Sequence, residues 1–299
     1  MVMKMKIGYL VEITFINYLN NSLYKELNPI MQDLLKALYP YIKDNDKIIA
    51  YKYGKYAKVD IVIIVRGIKK GISIKTGSKN SVHLEKINKF SIFLLKNKFT
   101  NTMELKKYLY SDGTTNNTGK YRITADEYKK NNIEEINEIN RQLNKIKKIL
   151  IKRFLIKTDI NYKVNVNAFI YGYVNDFLWA TTDEVVECLL EKDIYSTGVH
   201  ISSLFIQNWD KNIKQNEKYE YCREYIQVKW YSLFDDFIYI MNKRVEPLAD
   251  CLKHKKKNHQ TMIPYLLMER MMGIGPTEAA WMAEVLPLNY IRINRHFLL

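Results

Sequence analysis

The sequence predicts an α/β fold in which helices cover a sheet built around one hairpin, and three observations predict it. Two β-branched runs, Lys58 to Val65 and Ile68 to Lys75, are joined by a short basic stretch through Gly67, and Gly71 at the start of the second run reads as part of that turn. Runs of that kind joined through a glycine-bearing turn form a hairpin. Apolar residues at helical spacing lie on both sides of it. The chain has 299 residues, of which 47% are hydrophobic, enough for one large core.

The elements follow in order. Phe15, Leu19, Leu23 and Leu27, then Ile30, Leu34, Leu38 and Ile42, recur at helical spacing. Pro29 suits a first helical position, so two helices are expected to meet near Asn28. Lys47 to Tyr53 reads as a strand closed by Gly54-Lys55. The hairpin comes next, then a helix over residues 81–97 whose buried stripe is Ile87, Phe90 and Leu94. Residues 101–111 read as a further helix, followed by a polar loop from Ser111 to Lys120 dense in turn formers. Residues 126–156 read as one long charged helix with a stripe running from Ile133 to Leu150.

Val164 to Tyr173 and Phe177 to Ala180 alternate as strands do, and Thr182 opens a short helix to Leu190. His200 to Gln207 and Tyr221 to Trp230 read as two more strands, Phe234 to Met241 and Met262 to Met272 as helices. Whether the later strands extend the first sheet or form a second is open in the sequence. The expected organisation is a domain over 1–245 and a helical appendage over 246–299. The domain comprises a core at 26–97, a helical insertion at 101–157 and further strands at 163–230.

Lys and Arg number 47 against 32 Asp and Glu, a net charge of +15. That balance favours a polyanionic partner. The chain is also rich in Lys, Asn, Ile and Tyr, which AT-rich coding produces by itself, so the charge needs a site beside it. Every apolar run is broken by Lys, Asn or Asp before it reaches a membrane span, and Met1 to Lys6 opens no signal-like apolar segment. A cytoplasmic protein without a membrane partner is expected. Cys188, Cys222 and Cys251 are isolated, the pattern of reduced thiols rather than of a zinc site.

Asp60 opens the first strand of the hairpin and Lys75 closes the second, so antiparallel pairing brings them to one end. Ser73 shares a strand face with Lys75, because side chains alternate with period two. Glu85, expected in the first turn of the next helix, can reach the same place. A carboxylate and an ammonium at one hairpin end, with a second carboxylate in reach, suit metal-dependent phosphodiester hydrolysis.

The arrangement resembles the PD-(D/E)XK nuclease superfamily, the fold of many restriction enzymes, over residues 26–97. The family pattern is an Asp at a strand start, then acid-x-Lys on the next strand. Asp60 and Lys75 take those places, and Ser73 stands where the second acid belongs. Some type II restriction enzymes show the same Ser-x-Lys with the acid moved to the following helix, and Glu85 looks like such a migrated acid. Glu26, and more weakly Glu12, matches the position of an additional family acid. The resemblance implies a restriction-endonuclease-like core of helix, three strands, helix and further strands. It implies Mg²⁺ or Mn²⁺ held by Asp60, Glu85 and the Ile74 carbonyl, and endonuclease action on DNA of a type II restriction-like or defence kind. A two-fold homodimer would then place one site on each strand. Neighbouring carboxylates favour an electrostatic role for Lys75 over that of a general base.

Further residues are candidate nucleic-acid contacts. Asn80, Ser81 and His83 follow the hairpin, and Asn80 or Ser81 is also suited to cap the expected helix. Gln207, Arg223, Gln227 and Lys229 combine phosphate-holding and base-reading chemistry. Asp112, Thr114 and Arg122 surround the polar loop. Gln227-Val-Lys229 is a rival site, with Asp210 or Asp176 as its upstream acid. The rival functions are a nuclease for RNA or structured DNA, a non-catalytic nucleic-acid-binding protein that kept the fold, and a basic structural protein.

Overall fold

The computed structural model describes residues 7–54, 58–77, 80–115, 120–157, 164–192, 196–209 and 217–255, with side chains at 217, 218 and 245–255 left out. The chain opens with helices α1 (Ile7–Leu19) and α2 (Pro29–Leu38). Asn28 caps α2 by accepting from the Met31 N–H at 2.8 Å, and Pro29 takes the first helical position. α2 therefore starts where the sequence places it, but α1 stops at Leu19 and a 3-10 helix, Tyr24–Glu26, comes between, so the two helices do not meet at Asn28.

Three antiparallel strands follow: β1 (Ile48–Lys52), β2 (Ile61–Val65) and β3 (Ile68–Lys75). Arg66 and Gly67 form the whole turn between β2 and β3, at φ 49° and 79°. Two positive φ values in a two-residue loop match the right-handed twist of the strands it joins. Gly71 is not in the turn, as the sequence suggested, but inside β3. A Cβ there would lie 2.4 Å from the Asn165 carbonyl oxygen, so the close approach of the next strand requires glycine. That strand, β5 (Val166–Tyr173), lies parallel to β3, and β6 (Asp176–Thr181) returns antiparallel to it. The result is a five-stranded mixed sheet in the order β1-β2-β3-β5-β6.

Helix formation after the hairpin starts later than expected. Residues Asn80–Lys86 are a strand, β4, and helix α3 spans Ile87–Lys96. β4 pairs antiparallel with β9 (Tyr225–Trp230), which pairs with β8 (Leu204–Asn208), and β8 with β7 (His200–Ile201). The chain thus has a second sheet, β4-β9-β8-β7. The later strands do both things the sequence left open: β5 and β6 extend the first sheet, while β7 to β9 build the second around β4. The expected strand 200–207 folds back at Ser202-Ser203, where Ser202 takes φ 50°. Residues Glu217–Glu224 are a 3-10 helix, not the start of a strand.

Helix α4 (Thr102–Tyr110) lies as expected. The long helix expected over 126–156 is instead α5 (Ala125–Asn131), α6 (Ile133–Lys145), α7 (Lys147–Ile151) and a π-helical turn, Lys152–Ile156. The breaks fall at Asn132 and Ile146, with φ −134° and −113°. The apolar stripe survives them from Ile136 onward, since Ile136, Ile139, Leu143 and Leu150 are all buried, while Ile133 is exposed. Periodicity reports which face is buried; it does not report where the axis turns.

Helix α8 (Thr182–Glu191) follows β6, and α9 (Leu233–Lys255) follows β9. The boundary expected at 245–246 falls inside α9, and the expected helix 262–272 lies outside the described residues. One core packs α1 and α2 against the first sheet through Phe15, Met31, Leu34, Ile61 and Ile63. The other fills the space between the two sheets and the later helices through Phe90, Phe154, Phe169, Trp230 and Phe237. β2 serves both, because Ile61 and Ile63 face one cluster and Val62 the other. Asp236, fully buried, ties α9 to β9 by accepting from Trp230 Nε1 at 2.6 Å and pairing with Lys192. Cys188 and Cys222 are buried free thiols. Among the described residues no helix is long and apolar enough to cross a membrane.

Candidate active site

Asp60 precedes β2, and its backbone N–H already donates to Ile72 at 2.9 Å. The register Ile61↔Ile72 therefore sets Asp60 opposite Ser73. Its carboxylate closes the hairpin end: Oδ2 accepts from Ser73 Oγ at 3.1 Å and from the Ile74 N–H at 2.6 Å. Lys75 Nζ lies 3.6 Å from the same oxygen. Among the described residues all three partners use Oδ2, which leaves Oδ1 for a cation. The side chains are part exposed, 21% for Asp60 and 16% for Lys75, so the pair stays in reach of a ligand.

Glu85 arrives from the other sheet. It lies on β4, not in the first turn of a helix, and its side chain is 4% exposed. Arg153, in the π-helical turn, grips both carboxylate oxygens: Nη2 pairs with Oε1, and Nε donates to Oε2 at 3.1 Å. The Arg153 guanidinium also stacks on Phe93, 4.1 Å from the ring centroid. His83 Nε2 lies 3.1 Å from Glu85 Oε2, and His83 Nδ1 lies 2.7 Å from Lys58 Nζ. Lys58 also donates to the Phe154 carbonyl at 2.7 Å. An ammonium can only donate, so Nδ1 accepts and Nε2 carries the proton given to Glu85.

Burial pushes the His83 pKa down and the Lys58 ammonium adds to that, against the pull of Glu85, so His83 is neutral at neutral pH. For Glu85 burial pushes the carboxyl up, but the bonds from His83 and Arg153 outweigh it and hold the group below its ordinary range. With His83 neutral, Arg153 is the charge that matters to Glu85. His83 is poorly placed as a general base, since both ring nitrogens are engaged.

Asp60, Ser73, Lys75, His83 and Glu85 line one cleft of about 640 Å³. Lys58, Lys86, Lys89 and Lys157 line it too, so five lysines face two carboxylates there. Phe169 of β5 and Leu155 of the π-helical turn supply apolar wall. Among the described residues no group of three or more His, Cys, Asp and Glu converges as a metal cage. Mg²⁺ does not need one: it is held through one or two carboxylates, waters and substrate phosphate oxygens. Asp60, a hard donor with one oxygen open, fits such a cation. Glu85 fits it less well, because both its oxygens are engaged.

The other candidates scatter. Glu26 is exposed and accepts from the Leu23 N–H at 2.8 Å, away from the cleft. Glu12 pairs with Lys52 at 2.6 Å. Asn80 and Ser81 cap no helix, because they lie on β4; Asn80 donates to the Gly77 carbonyl at 2.8 Å, and Ser81 lines the cleft. Arg223 is buried and engaged with Asp112, Glu220 and Thr114, so it staples the polar loop to the 3-10 helix and does not face a ligand. Arg122 bonds Thr114 and Thr115 in the same network. For the rival site, Asp176 is on the first sheet and Lys229 on the second, and Asp210 is outside the described residues.

Arg153 and Lys58 were not singled out from the sequence. Lys58 had a signal, since period two puts it on the Asp60 side of its run. Arg153 had none, being one cation in a charged helical stretch 68 residues from its partner.

No family model matches the chain, and no curated protein matches it. Among solved structures the chain is similar to the restriction endonuclease MspI in complex with its cognate DNA. The two are 13% identical at a TM-score of 0.47, over 74% of this chain and 86% of that one.

Proposed function

We propose that this protein is a Mg²⁺- or Mn²⁺-dependent endonuclease that hydrolyses phosphodiester bonds of DNA, of a type II restriction-like or defence kind. The observation that carries the reading is the Asp60, Ser73 and Lys75 group at the open end of a hairpin, inside a lysine-lined cleft. A divalent cation bound there supplies Lewis acidity and a water activated at neutral pH. Asp60 would hold it through Oδ1, with the Ile74 carbonyl and Glu85 as the further donors the resemblance implies. Ser73 and the Ile74 N–H fix the Asp60 carboxylate in place. The Lys75 ammonium steadies charge on the phosphate and orients the attacking water. Lys86, Lys89 and Lys157, which also line the cleft, hold flanking phosphates, which makes affinity fall with salt. Cleavage of both strands calls for two sites, and a two-fold homodimer supplies them.

The test is metal-dependent cleavage of duplex DNA, single strands and RNA by wild type, Asp60→Ala and Lys75→Ala. Cleavage of duplex DNA by wild type alone is the expected result. Activity that survives both substitutions would place the chemistry elsewhere. A second reading has its own support: Glu85 is already neutralised by Arg153, and Ser73 replaces an acid, as in a nucleic-acid-binding protein that no longer cuts. Tight, salt-dependent binding with no cleavage of any substrate would favour it.

A further inference from the structure

We propose that the solvent-facing side of the second sheet, centred on the Gln207–Gln227 pair, is the surface that reads base edges of duplex DNA. The proposal rests on the cleft being a nucleic-acid site and assigns where sequence is recognised.

The register puts Gln207 directly opposite Gln227, and Leu84 opposite Gln227 on the other side. The alternate residues Ile206, Ile226, Val228 and Trp230 are fully buried, so the two amides lie on the outer face. Each glutamine amide offers a donor and an acceptor, the set that pairs with adenine N6 and N7 in the major groove. Tyr231 Oη donates to Gln207 Oε1 at 3.2 Å, which sets how that amide is turned. Lys229, next along β9 on this face, holds its ammonium 6.0 Å from the Tyr231 ring centroid and puts positive charge beside the amides.

The face meets the cleft around the edge strand β4, whose His83 and Glu85 point inward with Val228 and Ile226 while Ser81, Leu84 and Lys86 lie on the outer side. Ser81, Leu84, Lys86 and Tyr225 line the cleft, and the register pairs Ser81 with Lys229, Leu84 with Gln227 and Lys86 with Tyr225. From β4 at the cleft to Gln207 on β8 is two strand spacings, about 10 Å. The major groove is about 8.5 Å deep and about 12 Å wide, and sheets lay their strands in it. A duplex whose phosphates sit among the cleft lysines would therefore bring its base edges over the amide pair. Lys229 and the cleft lysines put positive charge beside the amides, which matches that occupant.

The experiment uses the full chain in EDTA, so that binding is read without cleavage. A randomised duplex library is selected by wild type and by the Gln207→Ala/Gln227→Ala double variant, and the bound fraction is sequenced. Wild type is expected to enrich a motif with at least one A·T position. The double variant should lose that preference by about fivefold or more, the least that one bidentate base contact discriminates. Gln227→Glu should move the preference at one position toward cytosine, whose N4 amine a carboxylate accepts from. The proposal is overturned if the double variant enriches the wild-type motif, if wild type enriches none, or if it selects only single strands or RNA. Cleavage is measured apart from selection. A motif lost with the glutamines in a chain that never cuts would sink the nuclease reading and leave this one standing. Specific cutting that ignores the glutamines would do the reverse.

Discussion

Asp60 and Glu85 line the same cleft, yet their surroundings differ in kind. Asp60 sits at a hairpin end, part exposed, with its partners gathered on one oxygen and its lysine at 3.6 Å. Glu85 is buried, with both oxygens taken by Arg153 and one shared with His83. The first pair joins residues of one hairpin; the second joins β4 to the π-helical turn of the helical insertion. A buried ion pair between distant segments must have its oxygens occupied, because a buried charge left unpaired is costly. A pair that must accept a ligand has to keep an oxygen and some exposure in hand. The contrast separates a carboxylate suited to chemistry from one suited to clamping the cleft wall.

The largest expected effect falls on the open pair. Lys75→Ala should lower the rate of DNA cleavage by about 10²–10³, the range for removing one preorganised charge or donor, while the urea unfolding midpoint stays close to wild type. A large loss of stability instead would make the two pairs alike and break the comparison. Arg153→Ala should act the other way round. Removing one partner of a buried pair costs about 3–5 kcal/mol, and with Arg153 itself 23% exposed the lower end is expected. Urea denaturation at neutral pH reads it, and a change under 1 kcal/mol would show that Glu85 is not held as described.

Acid should weaken the clamp in a defined direction. Both His83 and Glu85 have folded pKa values below their ordinary ones. A lowered pKa means the unfolded chain binds the proton more readily, so stability falls as pH falls. The His83 contribution is lost as pH drops below about 6.5 and that of Glu85 as it drops below about 4.3, the unperturbed values. A protonated His83 would turn an N–H toward the Lys58 ammonium now 2.7 Å from Nδ1. Urea midpoints from pH 7.5 to 4 should decline in wild type and decline less steeply below pH 5 in Glu85→Gln. Parallel curves would remove Glu85 from the acid response. The smallest expected effect is Ser73→Ala. It deletes one hydrogen bond to Asp60, worth about 1 kcal/mol or fivefold in cleavage, and a loss as large as that of Lys75→Ala would promote Ser73 to a direct role.

Local sequence determined much of this protein. Asn28-Pro29 set the start of α2, and the β-branched runs around Arg66-Gly67 made the hairpin. Period-two alternation then delivered Asp60, Ser73 and Lys75 to one end of it. Those outcomes depend on dihedral preferences and on pairing between neighbours in the chain, which a sequence displays directly. Tertiary structure decided the rest. Residues 80–86 became a strand because β9, some 140 residues later, offers them a partner, and strand formation is governed by such pairing more than by propensity. Glu85 lost its expected place in a helix for the same reason, and gained Arg153 because the insertion breaks at Asn132 and Ile146 before its π-helical turn reaches the cleft. Net charge on a sequence does not place itself; only the packing of two sheets and an insertion gathers five lysines around Asp60 and Glu85 in one cleft.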